Sequence, residues 1–227
     1  MRKRRVLVAL SLVLSLAMSN VVSAASIGLS DYVVAGSCTT SLKGSSASRI
    51  QNITTAAGYL NGTVVQPGQI ISVSALMRPR TVENGYALAG VYSGGKTVQG
   101  LGGGICQMSS TLYNALMNAG MTVVTRYPHS MTVSYLPKGQ DAAISQGSKD
   151  LIFTNPYNTP VTIITTADGT NVSAQVLVSN TELAGRSYKF YAVSTGSLSA
   201  TTYRDCYLNG TLMATEVIAS SSYAPHS

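Results

Sequence analysis

Only two stretches of this chain carry helical periodicity, and short β-prone runs separated by turn residues surround both of them. Apolar residues recur at helical spacing over residues 50–60, between a Ser-Ser pair at 45–46 that suits an N-cap and an Asn-Gly pair at 61–62. A second helical stripe covers residues 108–119 and is followed by Gly120, a suitable C-terminal cap. This pattern predicts an α+β fold with a mixed or antiparallel sheet and a few helices.

The predicted strands are short and lie between Gly, Pro and Asn turns. In chain order they are expected at residues 64–65, 70–73, 86–91, 96–98, 121–125, 131–135, 142–144, 151–153, 161–165 and 172–178. Gly94 and Gly95 make the turn of one hairpin, and Asn209 with Gly210 predict a type I′ turn in another. Residues 181–227 are therefore expected to form a small C-terminal β extension. Residues 25–45, rich in Ser and Gly, are predicted to be a linker.

The first 24 residues have the pattern of a secretory signal peptide: a basic segment, an apolar run and a small-residue cleavage site before Ala25. They hold four of the 15 Lys and Arg residues and none of the eight acidic ones, so their removal lowers the formal charge from +7 to +3. The mature chain is then only mildly basic, which argues against a nucleic-acid partner. We expect a secreted or wall-associated protein, with an uncleaved membrane anchor as the alternative.

Three cysteines remain after this segment, at positions 38, 106 and 206. An odd number in an exported protein predicts one disulfide and one free thiol. The natural pair is Cys38 with Cys206, near the two ends of the mature chain, which leaves Cys106 free. Three thiols that all stay reduced are the alternative.

Nucleotide and metal sites are both disfavoured by their sequence context. Residues 90–97 spell the phosphate-loop pattern, but glycines that cannot open a helix follow the lysine, and an exported protein does not meet cytosolic nucleotide. The chain has two histidines and no C-x-x-C or H-x-x-H spacing, so no metal site is expected. We expect no cofactor.

The glycine-rich turn before Cys106 is compatible with nucleophilic chemistry. Gly103, Gly104 and Ile105 lead into the second helix, which is expected to begin at Cys106 or Gln107. Unpaired N–H groups and the positive dipole end of a helix favour a thiolate. The same N–H groups, from Gly104 to Cys106, can stabilise an oxyanion.

His129 is the candidate base because it is the only histidine away from the chain end. It lies in a loop after the helix, from which its side chain can turn back towards the helix N-terminus, and Ser130 or Asp141 would orient it. From the residues alone, two simpler interpretations stay open. Cys106 can be a packed small hydrophobe, and His129 can merely hydrogen-bond a loop.

Three long blocks of the sequence closely resemble the VanW domain family. They read GGGICQMSSTLYNALMNAG, RYPHSMTVSYLPKGQDAAI and DLIFTNPYNTPVTI, and the shorter block PGQIISVS precedes them. The resemblance covers roughly residues 46–178 in the family's order and spacing, so residues 46–180 are expected to form a VanW-like domain. One departure is Val73, which follows the first serine within PGQIISVS, at a position that is often aromatic in the family.

The resemblance implies cell-wall chemistry. Some members of the family are L,D-transpeptidases that use the family cysteine, which implies that Cys106 is the nucleophile and His129 its partner. Gln107, Ser130 and Asp141 also fall on motif positions. We therefore expect a secreted cysteine acyltransferase that acts on peptidoglycan stem peptides, by 3→3 cross-linking or as an L,D-carboxypeptidase. The alternative is a non-catalytic wall-binding module or an accessory of glycopeptide (antibiotic) resistance.

Overall fold

The computed structural model describes residues 31–93 and 96–226. In this part of the chain the helices are α1 (Ala47–Leu60), α2 (Val73–Leu76), α3 (Ile105–Asn118) and α4 (Asn180–Leu183). The strands are β1 (Tyr32–Ser41), β2 (Thr63–Val65), β3 (Ile70–Ser72), β4 (Leu88–Ser93), β5 (Lys96–Leu101), β6 (Thr122–Thr125), β7 (Ile152–Thr154), β8 (Val161–Ala167), β9 (Asn171–Ser179), β10 (Arg186–Gly196), β11 (Ser199–Leu208) and β12 (Thr211–Ser222). The predicted signal peptide, residues 1–24, lies outside the described residues.

The strands form antiparallel sheets of different sizes. The largest has the strand order β1-β9-β8-β2, a second is the meander β10-β11-β12, a third has the order β3-β7-β6, and β4 pairs with β5. Helix α3 packs against β1 and β9 of the largest sheet and against β10 of the meander. The expected α+β fold, with antiparallel sheets and few helices, is confirmed.

Helix α3 is the centre of the hydrophobic core. Its residues from Gln107 to Met117 are all buried, so the helix has no solvent face over this span. The helix ends as its sequence predicts: Gly120 has φ +73°, and its N–H donates to Met117 O at 3.3 Å. The Met121 N–H donates to Leu116 O at 3.0 Å, which completes a Schellman cap. Both ends of α3 are thus fixed by glycines.

The first helix and the last hairpin also follow their sequence signals. The Ser46 hydroxyl accepts the Arg49 N–H at 3.3 Å and caps α1. Asn209 has φ +48° and Gly210 has φ +81° between β11 and β12, as a type I′ turn requires. Strands β4 and β5 pair as the predicted hairpin, although its expected turn, Gly94 and Gly95, lies outside the described residues.

The expectation of irregular chain across residues 25–45 is wrong over β1. Residues Tyr32 to Ser41 pair along their length with β9, more than a hundred residues later in the chain. A strand held by so distant a partner leaves a weak local pattern, because the ladder and not the alternation of side chains specifies it. Thr40 is buried in this strand and bonds the Thr111 hydroxyl of α3 at 2.9 Å.

The expected strands at residues 131–135 and 142–144 are also wrong. Only Met131 forms a bridge there, to Ala224. Side chains provide many of the hydrogen bonds of this loop instead. Asn114 donates to Gln140 O at 2.7 Å, and the Ser110 hydroxyl accepts the Ala142 N–H at 2.9 Å. The loop that carries the candidate base is therefore held against α3 without a strand ladder.

The predicted disulfide is absent, because all three cysteines are free thiols. Cys38 lies on β1 in the four-stranded sheet, whereas Cys206 lies on β11 in the meander. Cys38 packs as a small hydrophobic residue against the core. Burial raises the pKa of its thiol to about 11, so it is a poor nucleophile at neutral pH. Among the described helices, none is long and apolar enough to span a membrane.

Candidate active site

A glycine turn places Cys106 in the first turn of α3. Gly104 is the N-cap with φ +107°, a conformation that L side chains rarely adopt. Gly103 lies so close to β4 that a Cβ there would stand 2.6 Å from the Gly90 carbonyl oxygen. The helix begins at Ile105, one residue before the earliest expected start, so Cys106 is its second residue. The positive end of the α3 dipole is thus beside the thiol.

Asn52 of α1 fixes the path of this turn. The side chain is fully buried, and its Nδ2 donates to the carbonyl oxygens of Ala87 and Gly103, both at 3.0 Å. Its Oδ1 accepts the Ala87 N–H at 2.7 Å. Asn52 was not among the predicted site residues, although a polar residue within the buried stripe of a helix is a signal for such a bond.

His129 is held by Asp141. Both the ring Nδ1 and the backbone N–H of His129 lie 2.6 Å from Asp141 Oδ2. Asp141 itself is 1% exposed. Burial alone would raise the pKa of its carboxyl group, but hydrogen bonds from His129 and Tyr223 and the charge of Arg126 lower that pKa to about 2. Asp141 is therefore a carboxylate that fixes one face of the imidazole.

Two residues that the sequence did not reveal hold the other carboxylate oxygen. Arg126 Nη2 donates to Asp141 Oδ1 at 2.9 Å, and the Tyr223 hydroxyl donates to the same oxygen at 2.5 Å. The Gly139 N–H in turn donates to the Tyr223 oxygen at 2.6 Å. Tyr223 directly follows β12, so the C-terminal β extension supplies part of this network.

The thiol and the imidazole act on each other electrostatically. Burial is the largest influence on Cys106 and would raise its pKa, but a hydrogen bond and the charge of His129 bring the pKa below the ordinary value of 9.0. Burial conversely lowers the pKa of His129, and this effect is exceeded by hydrogen bonds to Asp141 and Cys106, which bring the pKa to about 9. These directions favour a thiolate–imidazolium pair at neutral pH. In the thiol form, Cys106 Sγ donates to Ile144 O at 3.3 Å.

Tyr135 and Ser110 lie beside this pair. The two hydroxyls are 3.5 Å apart, and Ser110 Oγ donates to the Cys106 carbonyl oxygen at 2.7 Å. Burial raises the pKa of Tyr135, and negative charge on Cys106 raises it further, so Tyr135 stays neutral. Neither side chain was among the predicted site residues.

Two of the expected supporting residues do not hold the imidazole. Gln107 is buried and ties α3 to its neighbours: its Oε1 accepts from Arg49 Nη2 at 2.6 Å, and its Nε2 donates to Ser41 O at 2.8 Å. Ser130 is exposed, and its carbonyl oxygen accepts the Ala224 N–H at 2.7 Å. Asp141 is thus the partner that orients His129.

The backbone N–H groups of the turn before Cys106 are not all engaged in hydrogen bonds. The Ile105 N–H donates to Gly102 O at 3.3 Å and is occupied. Within the described chain, the N–H groups of Gly104 and Cys106 have no hydrogen-bond partner. The N-terminus of α3 therefore keeps two unpaired donors beside the thiol, which can receive negative charge. No group of three or more His, Cys, Asp or Glu residues that could hold a metal occurs within residues 31–93 and 96–226.

Comparison with protein families gives one match over more than half of the chain. The family model described as VanW like protein covers residues 48–177. These limits include the glycine turn, Cys106, His129 and Asp141, whereas Tyr223 lies beyond them.

Two relatives share this region. The uncharacterized protein YoaR of Bacillus subtilis (strain 168) is 41% identical over 128 residues, which is 56% of this chain and 42% of the relative. The vancomycin B-type resistance protein VanW of Enterococcus faecalis (strain ATCC 700802 / V583) is 29% identical over 155 residues, which is 66% of this chain and 54% of the relative. The chain thus spans about half the length of these relatives. No solved structure matches it.

Proposed function

Because this chain belongs to the family of VanW-like proteins, we propose that it is an exported cysteine acyltransferase that acts on peptidoglycan stem peptides. The observation that carries the proposal is the pairing of Asp141 with His129, whose charge in turn lowers the pKa of Cys106 at the start of α3. A carboxylate, an imidazole and a thiol in this order are the groups that acyl transfer through a thioester requires.

In the first half of the reaction, the Cys106 thiolate attacks the carbonyl carbon of the third residue of a tetrapeptide stem. The carbonyl oxygen takes the electron pair, and the free N–H groups of Gly104 and Cys106 stabilise this oxyanion. The bond to the terminal D-Ala then breaks, and the His129 imidazolium gives its proton to the leaving amine. The products are free D-Ala and a thioester on Cys106.

In the second half, an amine of a neighbouring stem attacks the thioester carbonyl. The neutral His129 takes a proton from the incoming amine, and the Cys106 thiolate leaves, which restores the thiolate–imidazolium pair. The product is a 3→3 cross-link. With water as the acceptor, the same steps release a tripeptide, and the activity is that of an L,D-carboxypeptidase.

Asp141 determines which ring nitrogen of His129 exchanges protons with the substrate. It accepts from Nδ1, so that the opposite ring nitrogen, Nε2, is the one that faces the reaction. Its low pKa keeps it charged throughout, and the charge stabilises the imidazolium. Arg126 and Tyr223 prevent the carboxylate from rotating away.

One finding favours a second candidate, a non-catalytic accessory of glycopeptide resistance. The E. faecalis relative is named a vancomycin B-type resistance protein, and that name specifies no transfer reaction. In such a protein Cys106 would be structural, and the protein would only bind wall peptide.

Incubation of the mature protein with purified tetrapeptide muropeptides separates the two candidates. We expect release of D-Ala, together with a cross-linked dimer or a free tripeptide detected by mass spectrometry. Cys106→Ala should abolish the release, whereas Cys38→Ala, which changes a thiol away from the site, should leave it unchanged. Equal release by wild type and Cys106→Ala, or no release by either, would eliminate the acyltransferase and favour the accessory.

A further inference from the structure

A surface cleft of about 490 Å³ lies next to the candidate site. Arg80 lines the cleft, and its positive charge contributes to the lowered pKa of Cys106. Ser145, another lining residue, directly follows Ile144, whose carbonyl oxygen accepts from the Cys106 thiol. The cleft therefore borders the space in which a substrate of Cys106 must lie.

The cleft carries more positive charge than its own acid can neutralise. Its cationic lining residues are Arg78, Arg80 and Lys149, and none of them forms an ion pair within the described chain. The cleft's carboxylate, Asp150, is already engaged: it accepts the Ser72 hydroxyl at 2.5 Å and the Ser74 N–H at 2.9 Å. The surplus of positive charge favours an anionic ligand.

Arg80 is the cation best placed to bind such a ligand. Its Nη1 donates to Ser74 Oγ at 2.9 Å, which anchors one side of the guanidinium. Its Nη2 is shielded from solvent and has no acceptor among the described residues. An unpaired N–H of a charged group costs free energy, so a rotation of the guanidinium that brings Nη2 to a carboxylate in the cleft would be favourable.

The turn before Cys106 holds the stem of Arg80. A Cβ at position 102 would lie 2.7 Å from Arg80 Cγ, so the glycine at this position lets the arginine side chain cross the turn. The same glycine turn that places the thiol at the start of α3 thus holds the stem of Arg80.

We infer that this cleft binds the free C-terminal carboxylate of the donor peptide and that Arg80 is the residue that recognises it. The inference rests on the proposed function. In an acyl transfer that expels the last residue, the terminal carboxylate is three bonds beyond the attacked carbonyl carbon, on the order of 4 Å away. A group that binds this carboxylate must therefore lie near the nucleophile, and Arg80 packs on the turn before Cys106 and lowers the pKa of its thiol by its charge. Arg80 then selects peptides that end at the leaving residue over extended or amidated ones.

The test compares two tetrapeptides that differ only in a C-terminal carboxylate or carboxamide. Their binding is measured by calorimetry on full-length Cys106→Ala protein, so that neither turnover nor the thiol pKa contributes. We expect the carboxylate peptide to bind about tenfold to a hundredfold more tightly, the range of a charge-assisted hydrogen bond. Adding Arg80→Gln should remove the preference, and Arg80→Lys, which keeps the charge without the planar fork, should retain part of it.

Arg186→Gln is the matched control, because it removes the same charge from an exposed position outside the cleft and should preserve the preference. Equal binding of the two peptides, or a preference that persists in a folded Arg80→Gln protein, would overturn the inference. A second measurement, acylation of Cys106 by the same two peptides in protein that retains this cysteine, distinguishes this outcome from failure of the proposed function. If both peptides acylate Cys106 equally, recognition by Arg80 is rejected but the acyltransferase is not. If the binding preference depends on Arg80 but Cys106 is never acylated, the binding site is supported and the acyltransferase is rejected.

Discussion

Replacing His129 with glutamine should raise the pKa of the Cys106 thiol and make it less reactive at neutral pH. Glutamine keeps a donor for Asp141 but carries no charge. Without the hydrogen bond and the charge of His129, burial is the dominant influence, and the pKa of Cys106 should rise to its ordinary 9.0 or above. At pH 7 such a thiol is at most about 1% thiolate.

Alkylation by iodoacetamide, resolved by peptide mass spectrometry between pH 5 and 10, measures this change. For His129→Gln we expect the rate at Cys106 to increase about tenfold from pH 7 to 8 and to keep rising at pH 9. The wild-type curve should reach its plateau at lower pH. A more basic thiolate is the stronger nucleophile, which offsets only part of the loss. Cys38, with a pKa of about 11, is an internal reference that should stay slow in both proteins.

His226→Gln is the control for this substitution, because His226 is exposed and bonds Thr132. Its alkylation curve should coincide with that of the wild type. If the His129→Gln and wild-type curves have the same midpoint, the imidazole does not activate the thiol, and the reasoning for the ion pair is refuted.

Three further predictions concern stability. Tyr223→Phe removes a donor to the buried carboxylate of Asp141 and should cost about 1.5–3 kcal/mol in urea unfolding; a cost below 0.5 kcal/mol would be at odds with a functional bond. The pKa of Asp141 is lowered from 3.8 to about 2, so its contribution of about 2 kcal/mol is present above pH 3.8 and is lost as pH falls through 2. This dependence should be missing from the unfolding curve of Asp141→Asn. Gly104→Ala should destabilise the protein by about 1–3 kcal/mol because Gly104 has a φ of +107°. Its control, Gly58→Ala, lies in α1 with open space around it and should stabilise the protein by about 0.5–1 kcal/mol. A Gly104→Ala protein that is more stable to heat than Gly58→Ala would contradict the assigned turn.

The parts of the site that local sequence could predict are those fixed by local physics. The glycines before Cys106 and the helical stripe after it predicted a cysteine at a helix start, because positive φ and amphipathic spacing are properties of neighbouring residues. Gly120 and the Asn209 turn were predicted for the same reason.

Residues brought together by the tertiary fold had no comparable signal. Tyr223 reaches Asp141 only because the meander folds back on the domain, and its hydroxyl is separated by 82 positions from its partner. Strand β1 was not predicted because its partner β9 lies even further away in the chain. The disulfide prediction failed because an odd cysteine count says nothing about which sheets Cys38 and Cys206 occupy.

The central claim is that Cys106 becomes acylated by a stem peptide. The most direct measurement is to quench the protein at acidic pH during reaction with a tetrapeptide muropeptide, digest it, and locate any added mass on its three cysteines. We predict a tripeptide-stem thioester on Cys106, with Cys38 and Cys206 unmodified, and a loss of this adduct in His129→Gln at pH 7. An adduct on another residue, or D-Ala release with Cys106 unmodified throughout the time course, would contradict the claim.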